Sequence, residues 1–132
     1  MKITPDTNVL VRAVVKDDKK QARAASKLLQ EAELIAIALP TLCEFVWVLR
    51  SVYQFAQTDI SAAIEALLDA GNVAVNRAAV EAGLAVLQAG GDFADGVIAY
   101  EGSWMGAETF ISFDKKAVAL LSMQGLQARL LA

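Results

Sequence analysis

Short apolar runs of strand type alternate with longer helical stretches from one end of this chain to the other, and that alternation restricts the fold more than any other feature. Strand followed by helix with short connections builds βαβ crossovers, which lay parallel strands in one sheet and cover both of its faces with helices. Strands are expected at Lys2–Thr4, Leu34–Leu39, Asn72–Val75, Thr109–Phe113 and, as a fifth, Leu126–Leu131. Helices are expected over Asn8–Val15, Lys19–Glu33, Cys43–Tyr53, Thr58–Leu68, Arg77–Ala89, Phe93–Tyr100 and Lys115–Met123. The apolar run Leu34–Leu39, closed by Pro40, has the look of a strand buried on both faces. The expected architecture is a three-layer α/β/α domain with a central parallel sheet of four to five strands. No Pro/Gly/Ser-rich linker, charge block or repeat divides the 132 residues, so a single domain over 1–132 is expected.

Chemistry is narrowed by an absence. The chain has no histidine, which removes the Ser-His-Asp triad, imidazole zinc sites and the usual general base. Its one cysteine, Cys43, cannot form an internal disulfide and reads as a small core residue. Pro5 and Asp6 stand where a secretory signal would begin its apolar stretch, so a cytoplasmic location is expected. The longest nearly charge-free stretch, Leu34–Leu49, has 16 residues and contains Pro40 and Glu44, too short to span a membrane. A net charge of −3 gives no basic footprint over the whole chain, so a nucleic-acid partner would have to be held locally.

What remains is carboxylate. In a parallel sheet, residues just after the strand ends gather along one edge, where ligands bind in open α/β folds. Asp6, Glu44, Asp92, Asp95 and Asp114 all map to that edge, a third of the 15 acids. Each has a plain explanation as a helix cap: Asp6, Asp92 and Asp114 occupy N-cap positions, and Thr41–Glu44 fits a capping box. Asp59 before Ile60 serves as a comparison, a cap with no further role. Capping does not require convergence, however, and two carboxylates about 4 Å apart repel by about 4 kcal/mol at an effective dielectric near 20, against about 1 kcal/mol for a cap. A cluster would therefore need a counter-charge, and oxygen ligands without sulfur or imidazole favour Mg²⁺, with Mn²⁺ able to substitute. Glu44, set between Leu42-Cys43 and Phe45-Val46-Trp47, is expected to be a costly buried charge unless paired or metal-bound.

Four segments carry a resemblance: Pro5–Arg12, Leu42–Leu49, Asp92–Ala99 and Thr109–Ala117. In order and spacing they are similar to the four acidic motifs of the PIN-domain nucleases, especially the VapC toxins of bacterial toxin–antitoxin pairs. The resemblance covers essentially the whole chain. It implies a Mg²⁺-dependent ribonuclease in which Asp6 and Asp95 bind the metal most directly and Glu44 and Asp114 complete the cluster. It further implies that Asn8 and Ser112 orient ligands and that Asp92 is an auxiliary ligand or merely a cap. It also implies an RNA substrate such as tRNA or rRNA, a cognate antitoxin and a homodimer. Gly96 stands where relatives often have alanine, and on helix propensity alone should loosen the helix start by up to about 1 kcal/mol.

Phosphate would need local cations. Arg12, Lys16, Lys19, Lys20, Arg23 and Lys27 gather near the start of the chain, where the bland reading is a solvated helix face, and Lys115 and Lys116 adjoin Asp114. Trp47, Tyr53, Phe55, Tyr100 and Trp104 could stack on bases, but aromatics on apolar helices usually belong to the core. Two rival readings remain. A catalytically silent binding module would use the acids only as caps. A phosphoacceptor receiver domain would pair its acids after the first strand, whereas Asp6 stands there alone and Glu44 lies on a helix.

Overall fold

Two runs of crossover structure, Met1–Asn76 and Arg77–Ala132, make up the chain in the computed structural model, which describes all 132 residues. In the first unit the order is β1 (Lys2–Ile3), α1 (Thr7–Val14), α2 (Lys19–Glu31), β2 (Leu34–Ala36), α3 (Leu39–Ser51), α4 (Gln57–Asp69) and β3 (Val73–Ala74). Each strand is separated from the next by two helices, and the pairing is parallel, with β2 central: Ile3 lies beside Ile35, and Ile35 beside Val73. Side chains close what the short strands leave open. Thr4 Oγ1 donates to the Ala36 carbonyl at 2.8 Å, tying the ends of β1 and β2. The Asn72 amide donates to the carbonyls of Leu29 and Ala32, satisfying the C-terminal end of α2 where it meets β3. Leu10 and Val11 of α1, Leu42, Phe45, Val46 and Leu49 of α3, and Ile60 and Ile64 of α4 are fully buried.

The second unit runs α5 (Arg77–Gln88), α6 (Phe93–Trp104), β4 (Phe110–Ser112), α7 (Lys115–Met123) and β5 (Ala128–Leu130). β4 and β5 are parallel, Phe110 beside Ala128 and Ser112 beside Leu130, and α7 makes the crossover. α5 and α6 lie against one another through glycine. A Cβ on Gly83 would fall 2.7 Å from the Phe93 ring, and one on Gly96 would run into the backbone of Ala82 and Gly83. Gly96 is thus not a loosened helix start, as propensity suggested, but the place where two helix backbones approach too closely for alanine.

The α/β class and the parallel sense of every strand pair match expectation, whereas in place of the expected single central sheet of four to five strands there are a three-stranded and a two-stranded sheet, with strands only two or three residues long. The second strand is shorter than Leu34–Leu39 because α3 begins at Leu39. Pro40 sits in its first turn, where a missing N–H costs nothing, rather than ending the strand. That earlier start moves Thr41 inside the helix and abolishes the expected capping box, since the N-cap is Ala38, without a side-chain bond. Asp59 likewise lies within the first turn of α4, behind an Ala56 N-cap, and caps nothing. Trp47 and Trp104, expected in the core, are 63% and 76% exposed, while Tyr53, Phe55, Tyr100 and Cys43 are intermediate. No helix is long and apolar enough to cross a membrane.

Candidate active site

Three of the five singled-out acids do cap helices, and each does so with one oxygen. Asp6, extended in backbone after the buried Pro5, accepts from the Val9 N–H at 3.1 Å through Oδ1 and so starts α1. Asp92 Oδ1 accepts from the Ala94 N–H at 3.1 Å at the head of α6. Asp114 Oδ1 accepts from Lys116 and Ala117 at 2.9 and 3.2 Å at the head of α7. The second oxygen of each makes no hydrogen bond, and all three residues are exposed. A cap fixes the direction of a carboxylate without consuming it, so capping and ligand binding are compatible at these positions.

Asp95 is different. It occupies the third position of α6, its N–H donates to the Asp92 carbonyl at 3.1 Å, and its carboxylate caps nothing. The side chain is half-buried, with Phe93, Gly96 and Val97 buried around it in sequence. Its carboxyl is held above the usual range, first by burial, then by the charges of Asp92 and Asp114. Within the second unit, therefore, acids from two helix heads share one electrostatic neighbourhood, with no ion pair relieving Asp95. Ser112 contributes as positioned: its hydroxyl accepts from the Asp114 N–H at 2.9 Å, shaping the turn that aims Asp114. Lys115 and Lys116 follow at once, both exposed and free of ion pairs.

In the first unit, Asp6 and Asn8 line a cleft of about 360 Å³ together with Arg12 and Gln21. Glu44 is not among its lining residues. It lies on the exposed face of α3, in the second turn, between buried Leu42 and buried Phe45. The expectation of a buried Glu44 charge is therefore overturned: a helix period of 3.6 turns this residue outward although its sequence neighbours are apolar. Arg12 is also less free than its sequence position suggests. Its guanidinium pairs with Asp17 at 2.7 Å and donates to Tyr53 Oη at 3.4 Å, and Tyr53 in turn donates to Asp17 at 3.4 Å. The Asp17 hydrogen bond raises the Arg12 pKa further. Burial works against the Asp17 charge, but Arg12 outweighs it and lowers that carboxyl. Sequence reasoning did not see that Asp17 and Tyr53 engage Arg12; spacing of five residues from Arg12 hinted at the first, while Tyr53 lies 41 positions away.

The donor set suits a hard divalent cation in kind, being all carboxylate oxygen, and the unrelieved charge around Asp95 is the potential such a cation would offset. In the structure no three histidine, cysteine, aspartate or glutamate side chains are gathered as a ready-made metal-holding group. In comparison with known proteins, the PIN domain family model matches residues 3–119, most of the chain. No curated protein matches the sequence significantly.

Proposed function

Since the chain belongs to the PIN-domain family, we propose that it is a metal-dependent endoribonuclease that hydrolyses RNA phosphodiester bonds, in the manner of a VapC toxin. The family has a nuclease-type fold, and its members are generally hydrolases acting on nucleic acid, typically with divalent metal ions. The observation that carries the proposal for this chain is Asp95, an ionisable side chain without a structural bond, half-buried beside two further acids and raised in pKa. Perturbation of that sort concentrates at functional sites.

In this reading Asp6 and Asp95 would hold Mg²⁺ or Mn²⁺, with Glu44 and Asp114 completing the set and Asp92 auxiliary. When bound, the ion lowers the pKa of a water and offsets charge on the leaving oxygen of the phosphodiester. The side chains supply direction. Backbone N–H donors pin one oxygen each of Asp6 and Asp114, leaving the other to a ligand. Ser112 fixes the Asp114 turn, and Asn8 offers an amide in the Asp6 cleft. Lys115 and Lys116 provide positive charge beside Asp114 for a substrate phosphate, and Arg12 does so only as far as its Asp17 partner allows. The full proposal is one PIN domain over 1–132, acting in the cytoplasm on tRNA or rRNA, homodimeric, and inhibited by a cognate antitoxin.

A silent PIN-like binding module has one specific observation in its favour, that Asp6, Asp92 and Asp114 already serve as caps. RNA cleavage by the purified protein decides between the two: Mg²⁺-dependent cutting that stops in EDTA and in Asp95→Asn supports the nuclease, no cutting with Mg²⁺ present favours the silent module, and cutting indifferent to EDTA and to Asp95→Asn overturns both. Mapping of RNA ends after expression with and without a candidate antitoxin tests the toxin assignment.

A further inference from the structure

A groove of about 720 Å³ runs along α2, lined by Lys16, Lys19, Arg23 and Lys27 together with Ser26 and Gln30. It shares no residue with the Asp6 cleft. We infer that this groove holds the phosphate backbone of the single-stranded RNA that the chain acts on, an inference that rests on the ribonuclease reading above.

The first support is spacing. Lys19, Arg23 and Lys27 recur every four residues, so they share one face of the helix and climb by about 6 Å per step, a stride comparable to that between neighbouring phosphates of an extended strand. The second is that these cations are unspent. None pairs with a carboxylate; the only side-chain bond among them is Arg23 Nε to the Lys19 carbonyl of the same helix, at 3.4 Å. Of the flanking acids, Asp17 is committed to Arg12 and Asp18 to the N-cap of α2, where it accepts from the Gln21 N–H at 3.0 Å, while Glu31, four residues after Lys27, forms no ion pair with it.

The third support is that the helix carries these charges against its own interest. Like charges four residues apart oppose helix formation, and Lys19 and Lys20 stand in the first turn, where the helix dipole disfavours cations. A face meant only for solubility would intersperse both signs, yet α2 carries four cations against one acid, Glu31 at its last position, in a chain whose net charge is −3. The lining also selects among anionic partners. Apart from the buried Ala22 every lining side chain ends in a charge, a hydroxyl or an amide, and no large apolar side chain lines the groove to anchor an acidic amphipathic peptide.

The test measures anisotropy of a labelled single-stranded oligoribonucleotide binding to the full chain in EDTA, so that cleavage does not intervene. Replacing Lys16, Lys19, Arg23 and Lys27 together by glutamine is expected to weaken binding at least tenfold. It should also reduce the slope of log affinity against log salt by about 3, four contacts at about 0.7 each. The triple variant Lys16→Arg, Lys19→Arg, Lys27→Arg, with melting temperature as a folding control, should retain both. Unchanged affinity and slope in the glutamine variant overturn the inference. So does polyglutamate displacing RNA at equal charge concentration, which would mark the groove as a site for acidic protein. If the groove variant loses binding but wild type cuts RNA with no divalent ion, the nuclease reading fails and the groove stands. If Mg²⁺-dependent cutting depends on Asp95 but binding ignores the groove, the groove fails alone. A wild-type chain that binds no RNA overturns both.

Discussion

Asp6 and Asp95 stand in the same kind of sequence context, an aspartate at the head of a helix in an apolar chain, yet their surroundings differ. Asp6 is exposed and receives a backbone N–H; Asp95 is half-buried, receives none, and faces the charges of Asp92 and Asp114. The difference teaches that a helix head can either use an acid or tolerate it. Only the second case asks for an explanation outside the fold. If both residues nevertheless hold the metal, either change to asparagine should lower RNA cleavage by about 100- to 1000-fold, measured as initial rates in Mg²⁺. Loss in Asp95→Asn alone would break the pairing and confine the chemistry to the second unit.

The next largest effect tests what fixes Asp95 in place. Helix propensity favours Gly96→Ala by about 1 kcal/mol, whereas a Cβ there meets the backbone of Ala82 and Gly83, an overpacking cost of about 1–3 kcal/mol. Backbone cannot yield as a side-chain tip does, so net destabilisation is expected in thermal or urea unfolding. A more stable Gly96→Ala would show that α5 and α6 can separate without cost, and that the placement of Asp95 is looser than it looks.

Stability then sharpens the contrast between the acids themselves. Asp114→Ala removes an acceptor for two N–H groups and should cost about 1 kcal/mol. Asp95→Asn removes no cap and should raise the melting temperature in EDTA at neutral pH. The sign follows from the raised pKa: the folded chain binds the proton more readily than the unfolded one, so stability is fully present at acid pH and is lost as pH rises through the raised value. The advantage of asparagine should therefore appear on that rise and vanish below the ordinary aspartate range. A variant less stable than wild type at neutral pH would mean that Asp95 has a structural partner after all.

Much of this was legible from residue order. The alternation of runs showed the α/β class and parallel strand pairing, though not the division into two sheets, and the residues from Lys115 to Met123 formed a helix with the expected bounds, because Asp114 before and Gly125 after punctuate it unambiguously. Capping at Asp6, Asp92 and Asp114 was legible too, being a local event. What failed depended on phase and on distant neighbours. The start of α3 shifted by four residues because proline fits both the end of a strand and the first turn of a helix, and Glu44 faces outward because helix phase, not the apolar character of its sequence neighbours, sets its direction. Trp47 and Trp104 are exposed because an apolar chain has more helix surface than core to fill. Gly96 could not be interpreted without Ala82 and Gly83, and Arg12 could not be interpreted without Tyr53.

The smallest effect concerns Arg12 and Asp17, the first unit's counterpart to the unrelieved acids of the second. Here charge is met by charge, and the pH dependence should run the opposite way. Burial alone would raise the Asp17 carboxyl, but the hydrogen bond and charge of Arg12 lower it below its ordinary value. The stability it contributes is thus present above the ordinary aspartate range and is lost as pH falls through the lowered value. Asp17→Asn should flatten the acid limb of the melting curve plotted against pH, only slightly because the pair is largely solvated, while leaving the loss of stability that follows the Asp95 titration unchanged. It should also release the Arg12 guanidinium beside the Asp6 cleft. If the asparagine variant binds RNA with a steeper salt dependence than wild type, the ion pair is restraining a phosphate-binding group; an unchanged slope makes it a purely structural tie.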